Sequence, residues 1–149
     1  MEPTVFTEAD GEIYDAGALR LRLLAQSPDQ PIAVTDNALP PAFPGPVRHR
    51  HAAMTEMFYV LEGDLAFDLA GEQRVLGPGA FVLVPPGVVH TFANPGSAPV
   101  RFLEILQPAG NEQFFKEAVQ RMAAGHPWSP AEMAEMASRY DFEAVIDEG

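Results

Sequence analysis

The chain has 149 residues, 47% of them hydrophobic, which suits one domain with a real core and is too short for two. Its formal net charge is −12 and its nine basic residues are scattered, so phosphate backbones and anionic lipid surfaces are not expected partners. Cysteine is absent, which excludes disulfide scaffolds, thiolate metal sites and cysteine nucleophiles.

In chain order, MEPTVFTEADGEI has neither a basic start nor an apolar core, so no secretory signal is expected. Residues 18–24, ALRLRLL, alternate leucine with arginine, the period of a strand with one buried face. Residues 32–39, IAVTDNAL, are a weaker strand candidate. PPAFPGP follows as a stiff loop with prolines at 40, 41, 44 and 46. From 49 to 107 short apolar runs are cut by turns. FYVLEGDLAFDL reads as strand, Glu-Gly-Asp turn, strand, and AGEQRVLGPG as turn, short strand, corner. AFVLV ends at Pro85-Pro86-Gly87, VVHTFAN ends at NPGSAP, and VRFLEILQ closes the series. Strands at this spacing predict an antiparallel sandwich or barrel. The longest apolar run, GAFVLVPPGVV, is too short to span a bilayer, and a cytoplasmic protein is the expectation.

The period changes at Asn111. Phe115, Val119 and Met122 share one helical face, as do Phe114, Ala118 and Met122, and Gly125 suits the residue after the helix. Ser129-Pro130-Ala131-Glu132 is a capping box for a second helix, with Met133, Ala137 and Tyr140 along one face. The predicted organisation is a β-domain over 1–110 and a helical extension over 111–149 packed on its outside. His126 reads as a surface or helix-end residue. Trp128 and the helix methionines read as packing residues or part of a subunit contact.

Two segments carry chemistry. In HRHAAMTE, His49 and His51 lie one residue apart, so on a strand they point the same way, with Arg48 and Arg50 opposite. Two imidazoles and the Glu56 carboxylate suit a transition metal. In GAFVLVPPGVVHTFAN, His90 shares a face with Phe92 and reaches the first pair only if the strands are neighbours across a barrel interior.

The pattern resembles the cupin superfamily. Its first motif, G-(x)5-H-x-H-(x)3,4-E-(x)6-G, is matched by His49, His51, Glu56 and Gly63. Its second, G-(x)5-P-x-G-(x)2-H-(x)3-N, is matched in every spacing by Gly79, Pro85, Gly87, His90 and Asn94. One departure is visible: Gly45 stands closer to His49 than the pattern prefers. The resemblance implies a mainly β fold: a jelly-roll-like antiparallel cupin β-barrel, followed here by two C-terminal α-helices. It implies one divalent metal ion (Fe, Mn, Ni, Zn, Co or Cu) held by His49, His51, Glu56 and His90, with positions left open for water, oxygen or substrate. Glu56 is also the candidate catalytic residue, as a proton acceptor if it detaches. Beside these, Phe58, Val60, Phe92 and Glu104 are expected along a substrate pocket, although Glu104 reads slightly better as facing outward or pairing with Arg101 or Arg22.

Within the family the closest general resemblance is to quercetinase-like single-domain cupins, which makes a dioxygenase acting on a small, largely apolar or phenolic molecule the leading expectation. A metal-dependent isomerase, lyase or polyketide cyclase is the first alternative, and a non-enzymatic small-ligand module the second. A homodimer is expected, as in many relatives.

Overall fold

The structure is a computed structural model that describes residues 5–7, 9–27, 30–126 and 129–146. Two antiparallel sheets form the body. The first has six strands: β1 (Glu12–Ala16), β2 (Leu19–Ser27), β3 (Gln30–Leu39), β10 (Val100–Gln107), β5 (Thr55–Glu62) and β8 (Phe81–Val84), in that spatial order. The second has five: β11 (Glu143–Ala144), β4 (His49–Arg50), β9 (His90–Ala93), β6 (Leu65–Leu69) and β7 (Glu72–Leu76). The fold is the predicted mainly β, antiparallel architecture with two helices, α1 (Glu112–Ala123) and α2 (Pro130–Ser138). Among the described residues no helix is long and apolar enough to cross a membrane.

Alternation builds the core. On β2, Leu19, Leu21 and Leu23 are buried while the arginines between them face out. On β10, Val100, Phe102, Glu104 and Leu106 all point inward. Phe58 and Phe102 from the first sheet meet Phe67 and Phe92 from the second, so the sheets face one another across an aromatic cluster. Its ring centroids lie 5.1 to 5.9 Å apart, mostly edge to face.

On the outer side of the first sheet, Asp36 of β3 accepts from Arg101 of β10 at 2.9 and 2.7 Å and from Arg22 of β2 at 3.2 Å. Burial pushes the Asp36 carboxyl up, but Arg101 and Arg22 together outweigh it and hold the group below its ordinary value. A depressed carboxylate contributes stability above its unfolded pKa and loses it as pH falls through the folded value. Asp36→Asn is therefore expected to cost about 1 kcal/mol at neutral pH, with the gap to the native protein closing below about pH 4. Urea unfolding of both proteins between pH 3 and 7 checks this; a gap independent of pH contradicts it.

Helix α1 packs on β1 and β2. Lys116 lies 3.5 Å from Glu12 and 5.0 Å above the Tyr14 ring. The chain turns at Gly125 with φ +70°, as the sequence suggests. The capping box of α2 is formed in full between Ser129 and Glu132. Met136 is buried against Phe114 and Phe142, Met122 is largely exposed, and His126 is exposed. Trp128 lies outside the described residues.

Candidate metal centre

The four expected ligands come from both sheets. His49 on β4 pairs in register with His90 on β9, while Glu56 enters from β5 opposite and His51 follows one residue after β4. All four are buried, and one ligand atom from each lies within 4.8 Å of the others. Local turns aim them. The Pro85-Pro86-Gly87 turn places the Gly87 N–H 2.7 Å from the His51 carbonyl, tying the His90 strand to the His51 loop. Gly45, at φ +76°, brings its backbone so close to the Phe92 carbonyl that a Cβ would stand 1.6 Å from that oxygen. The last motif residue, Asn94, acts structurally. Its side-chain amide donates to the Pro40 and Ala98 carbonyls at 2.9 and 2.8 Å and accepts from the Gly96 N–H.

Each histidine is oriented by a backbone carbonyl. Nδ1 of His49 lies 2.8 Å from Val47 O, Nδ1 of His90 lies 2.9 Å from Val88 O, and Nδ1 of His51 bonds Asp141 O. A carbonyl only accepts, so Nδ1 carries the proton and Nε2 faces the cluster with its lone pair in the neutral ring. Carbonyls behind Nδ1 in this way are a usual support for histidine metal ligands. Nε2 of His49 and Oε1 of Glu56 are buried without a protein partner, as atoms awaiting a cation would be. Burial lowers His49 to about 4, so it is a neutral imidazole at physiological pH. The donor set, three imidazole nitrogens and one carboxylate oxygen with no sulfur, fits a divalent transition metal and does not choose among the six named.

Glu104 corrects the preferred expectation that it faces outward or pairs with arginine. Arg101 and Arg22 serve Asp36 instead, and Glu104 is buried, accepting at 3.1 Å from Thr35 Oγ1, which in turn accepts from Asn37 Nδ2 at 2.8 Å. Its carboxyl also contacts that of Glu56. Burial and the neighbouring Glu56 hold Glu104 well above the usual carboxylate range. Burial alone would raise Glu56 too, but the hydrogen bond from Glu104 and the neighbouring His51 and His90 rings outweigh it and hold Glu56 well below that range. Of the pair, Glu104 is therefore the carboxyl that holds a proton and Glu56 the one that ionises.

A chamber of about 310 Å³ lies beyond the cluster, reached by none of the four ligands but walled in part by Glu104 and Phe142, which touch Glu56 and His49; it is at the small end of the ~300–1,000 Å³ typical of small-molecule sites. Leucines of the first sheet, the 43–47 loop, α1, α2 and Phe142 enclose it. Phe92 and Glu104 lie on its wall. Phe58 and Val60 do not: both are fully buried in the core behind it. Asn37 and Glu104 supply its side-chain polarity, and no Lys or Arg is among its described lining residues.

The C-terminal segment carries residues that the sequence reading passed over. Past α2 the chain forms β11, which pairs with the His49 strand, Glu143 against Arg50 and Ala144 against His49. Phe142 stacks on the His49 ring, centroids 4.3 Å apart and planes 14° apart, and equally on Phe114. The Asp141 carboxylate accepts from the backbone N–H groups of Ala52, Ala53 and Met54 at 2.5, 2.9 and 2.9 Å. The side chain of Asn111, the N-cap of α1, makes no cap bond and donates instead to the Asp141 carbonyl at 2.8 Å. An Asn before a helix was the one visible signal, and it reads as a cap.

Comparison with known proteins places residues 38–106 in the cupin domain family. A stretch of 70 residues, 47% of the chain, is 36% identical to the quercetin 2,3-dioxygenase of Bacillus subtilis (strain 168). The chain spans 20% of the length of that curated relative. The fold is similar to that of KdgF from Halomonas sp., with TM-score 0.64 and 18% identity over 75% of this chain and 99% of the other. It is also similar to an RmlC-like cupin from Shewanella frigidimarina (TM-score 0.62, 22% identity, 74% and 96% covered) and to the Streptomyces nucleoside dehydratase Pac13 (TM-score 0.56, 21% identity, 75% and 88% covered).

Proposed function

Since the chain carries a cupin domain and so belongs to the cupin superfamily, we propose that it is a metal-dependent enzyme acting on a small, largely apolar or phenolic molecule, most simply as a dioxygenase. The carrying observation is a four-ligand cluster beside an apolar chamber whose wall includes Glu104 and Phe142, the residues that touch Glu56 and His49. A sugar phosphate or sugar acid would meet no cation there, whereas a neutral ring meets leucine, methionine and phenylalanine walls. His49, His51, Glu56 and His90 would hold the ion, which when bound supplies Lewis-acid activation of a coordinated oxygen. The short stretch shared with a quercetin dioxygenase supports the oxygenase reading.

This chain's own residues bind, orient and move a proton. The chamber takes the apolar body of the substrate and excludes water. Asn37 and Glu104 offer polar contacts to one hydroxyl or carbonyl group, and the Glu104 carboxyl holds a proton beside ionised Glu56. That pair favours a second reading. A protonated and an ionised carboxyl in contact are an acid and a base, which suits isomerisation or elimination without O₂.

Oxygen uptake by the metal-reconstituted protein with phenolic and diketone compounds separates the two. Uptake that disappears in His51→Ala supports the oxygenase. Product formed under argon supports the isomerase or lyase. Saturable binding with no product under either atmosphere overturns the enzyme reading.

A further inference from the structure

One side of the cluster is closed by chain some 90 residues away, Tyr140–Val145. Four independent contacts hold it. Asp141 gathers three successive N–H groups of the His51–Met54 loop in one carboxylate. Burial pushes this carboxylate up, and the three donors outweigh that and keep it ionised. The Asp141 carbonyl takes the His51 Nδ1 proton with Asn111 as a second donor. Phe142 is gripped between Phe114 and His49. Val145 N–H then donates to Arg48 O at 2.8 Å, closing a short ladder with β4.

Two consequences follow from position. The carbonyl that fixes the tautomer and ring plane of His51 belongs to this segment and not to the β-domain loop. The phenyl ring of Phe142 is stacked between His49 and Phe114 and is also one of the residues lining the apolar chamber, so it stands between chamber and cluster.

We propose that Tyr140–Val145 is a working wall of the metal centre: Asp141 is a positioning residue for His51, and Phe142 determines how large an apolar ligand can reach the ion. This rests on the metal reading of the four ligands.

The test uses the full chain, stripped of metal and titrated with Co²⁺ against a chromophoric chelator. Asp141→Ala is expected to weaken Co²⁺ binding about tenfold or more and to alter the visible Co²⁺ absorption envelope, as loss of outer-shell support does. Asp141→Asn, which keeps one acceptor oxygen, should recover part of the loss and serves if the alanine variant does not fold. Glu143→Gln, which removes only the exposed ion pair with Arg50, should bind within about twofold of native. In the Co²⁺-loaded protein, Phe142→Ala should strengthen binding of 4-phenylimidazole about tenfold while leaving azide nearly unchanged.

Native Co²⁺ affinity and spectrum in folded Asp141→Ala or Asp141→Asn overturn the role of Asp141. An unchanged ratio of 4-phenylimidazole to azide affinity in Phe142→Ala overturns that of Phe142. Failure of the native chain to bind Co²⁺ overturns the metal reading itself, and this inference with it.

Discussion

Replacing His90 by alanine is expected to lower metal affinity roughly a hundredfold or more, a larger loss than that expected from any supporting residue. His90 stands against all three other ligands. Its ring centroid is 4.4 Å from that of His49 and 5.3 Å from that of His51, and its Nε2 lies 2.6 Å from Glu56 Oε2. Removing it takes one of three imidazole donors and leaves a carboxylate and two rings that cannot close around the ion. Because β9 pairs with β6 along its whole length, the backbone that carried the ring should stay in place. The expected result is a folded protein with weak metal binding, measured by competition with a chelator of known affinity alongside the far-UV spectrum. Affinity within threefold of native contradicts the proposed ligand set.

The largest expected effect on stability lies behind the site. Phe58 is fully buried on β5 and meets Phe67, Phe92 and Phe102 at centroid distances of 5.1, 5.3 and 5.9 Å. It joins the two sheets. Phe58→Ala deletes most of a ring from a close-packed interior and is expected to cost about 3–5 kcal/mol. Urea unfolding with an unchanged m-value measures it. A loss below about 1.5 kcal/mol would mean that the space refills and that the aromatic cluster does not join the sheets. Phe92, part of the same cluster, also lines the chamber, so metal affinity in Phe58→Ala shows how far the site depends on the core behind it.

These two residues also mark the boundary of what was legible in the sequence. The strands of the 49–107 region were readable because alternation and Gly-Pro turns are local signals, and α2 was readable because Ser129 and Glu132 can cap only a helix start. The ligands were readable because the spacing of His49, His51, Glu56 and His90 is itself the signal. Depth along a strand is not local. Phe58 and Val60 follow Glu56 on the same face, and period two cannot say that they pass from the cluster into the core while Phe92 and Glu104 remain at the chamber wall.

Partner choice is not local either. From the sequence Arg22 and Arg101 could serve Glu104 as readily as Asp36, and only the register of β2, β3 and β10 assigns them to Asp36. Asp141 and Phe142 were invisible for the same reason. An Asp-Phe pair after a helix has no period, and its meaning lies in N–H groups 87 to 89 residues earlier.

The central claim is that three imidazoles and one carboxylate gather on one ion between the two sheets. X-ray absorption at the edge of the metal in protein reconstituted to one equivalent tests it most directly. The expected result is a first shell of nitrogen and oxygen only, with the multiple scattering of three imidazole rings. A shell with one imidazole or none, or an ion surrounded chiefly by water, contradicts it.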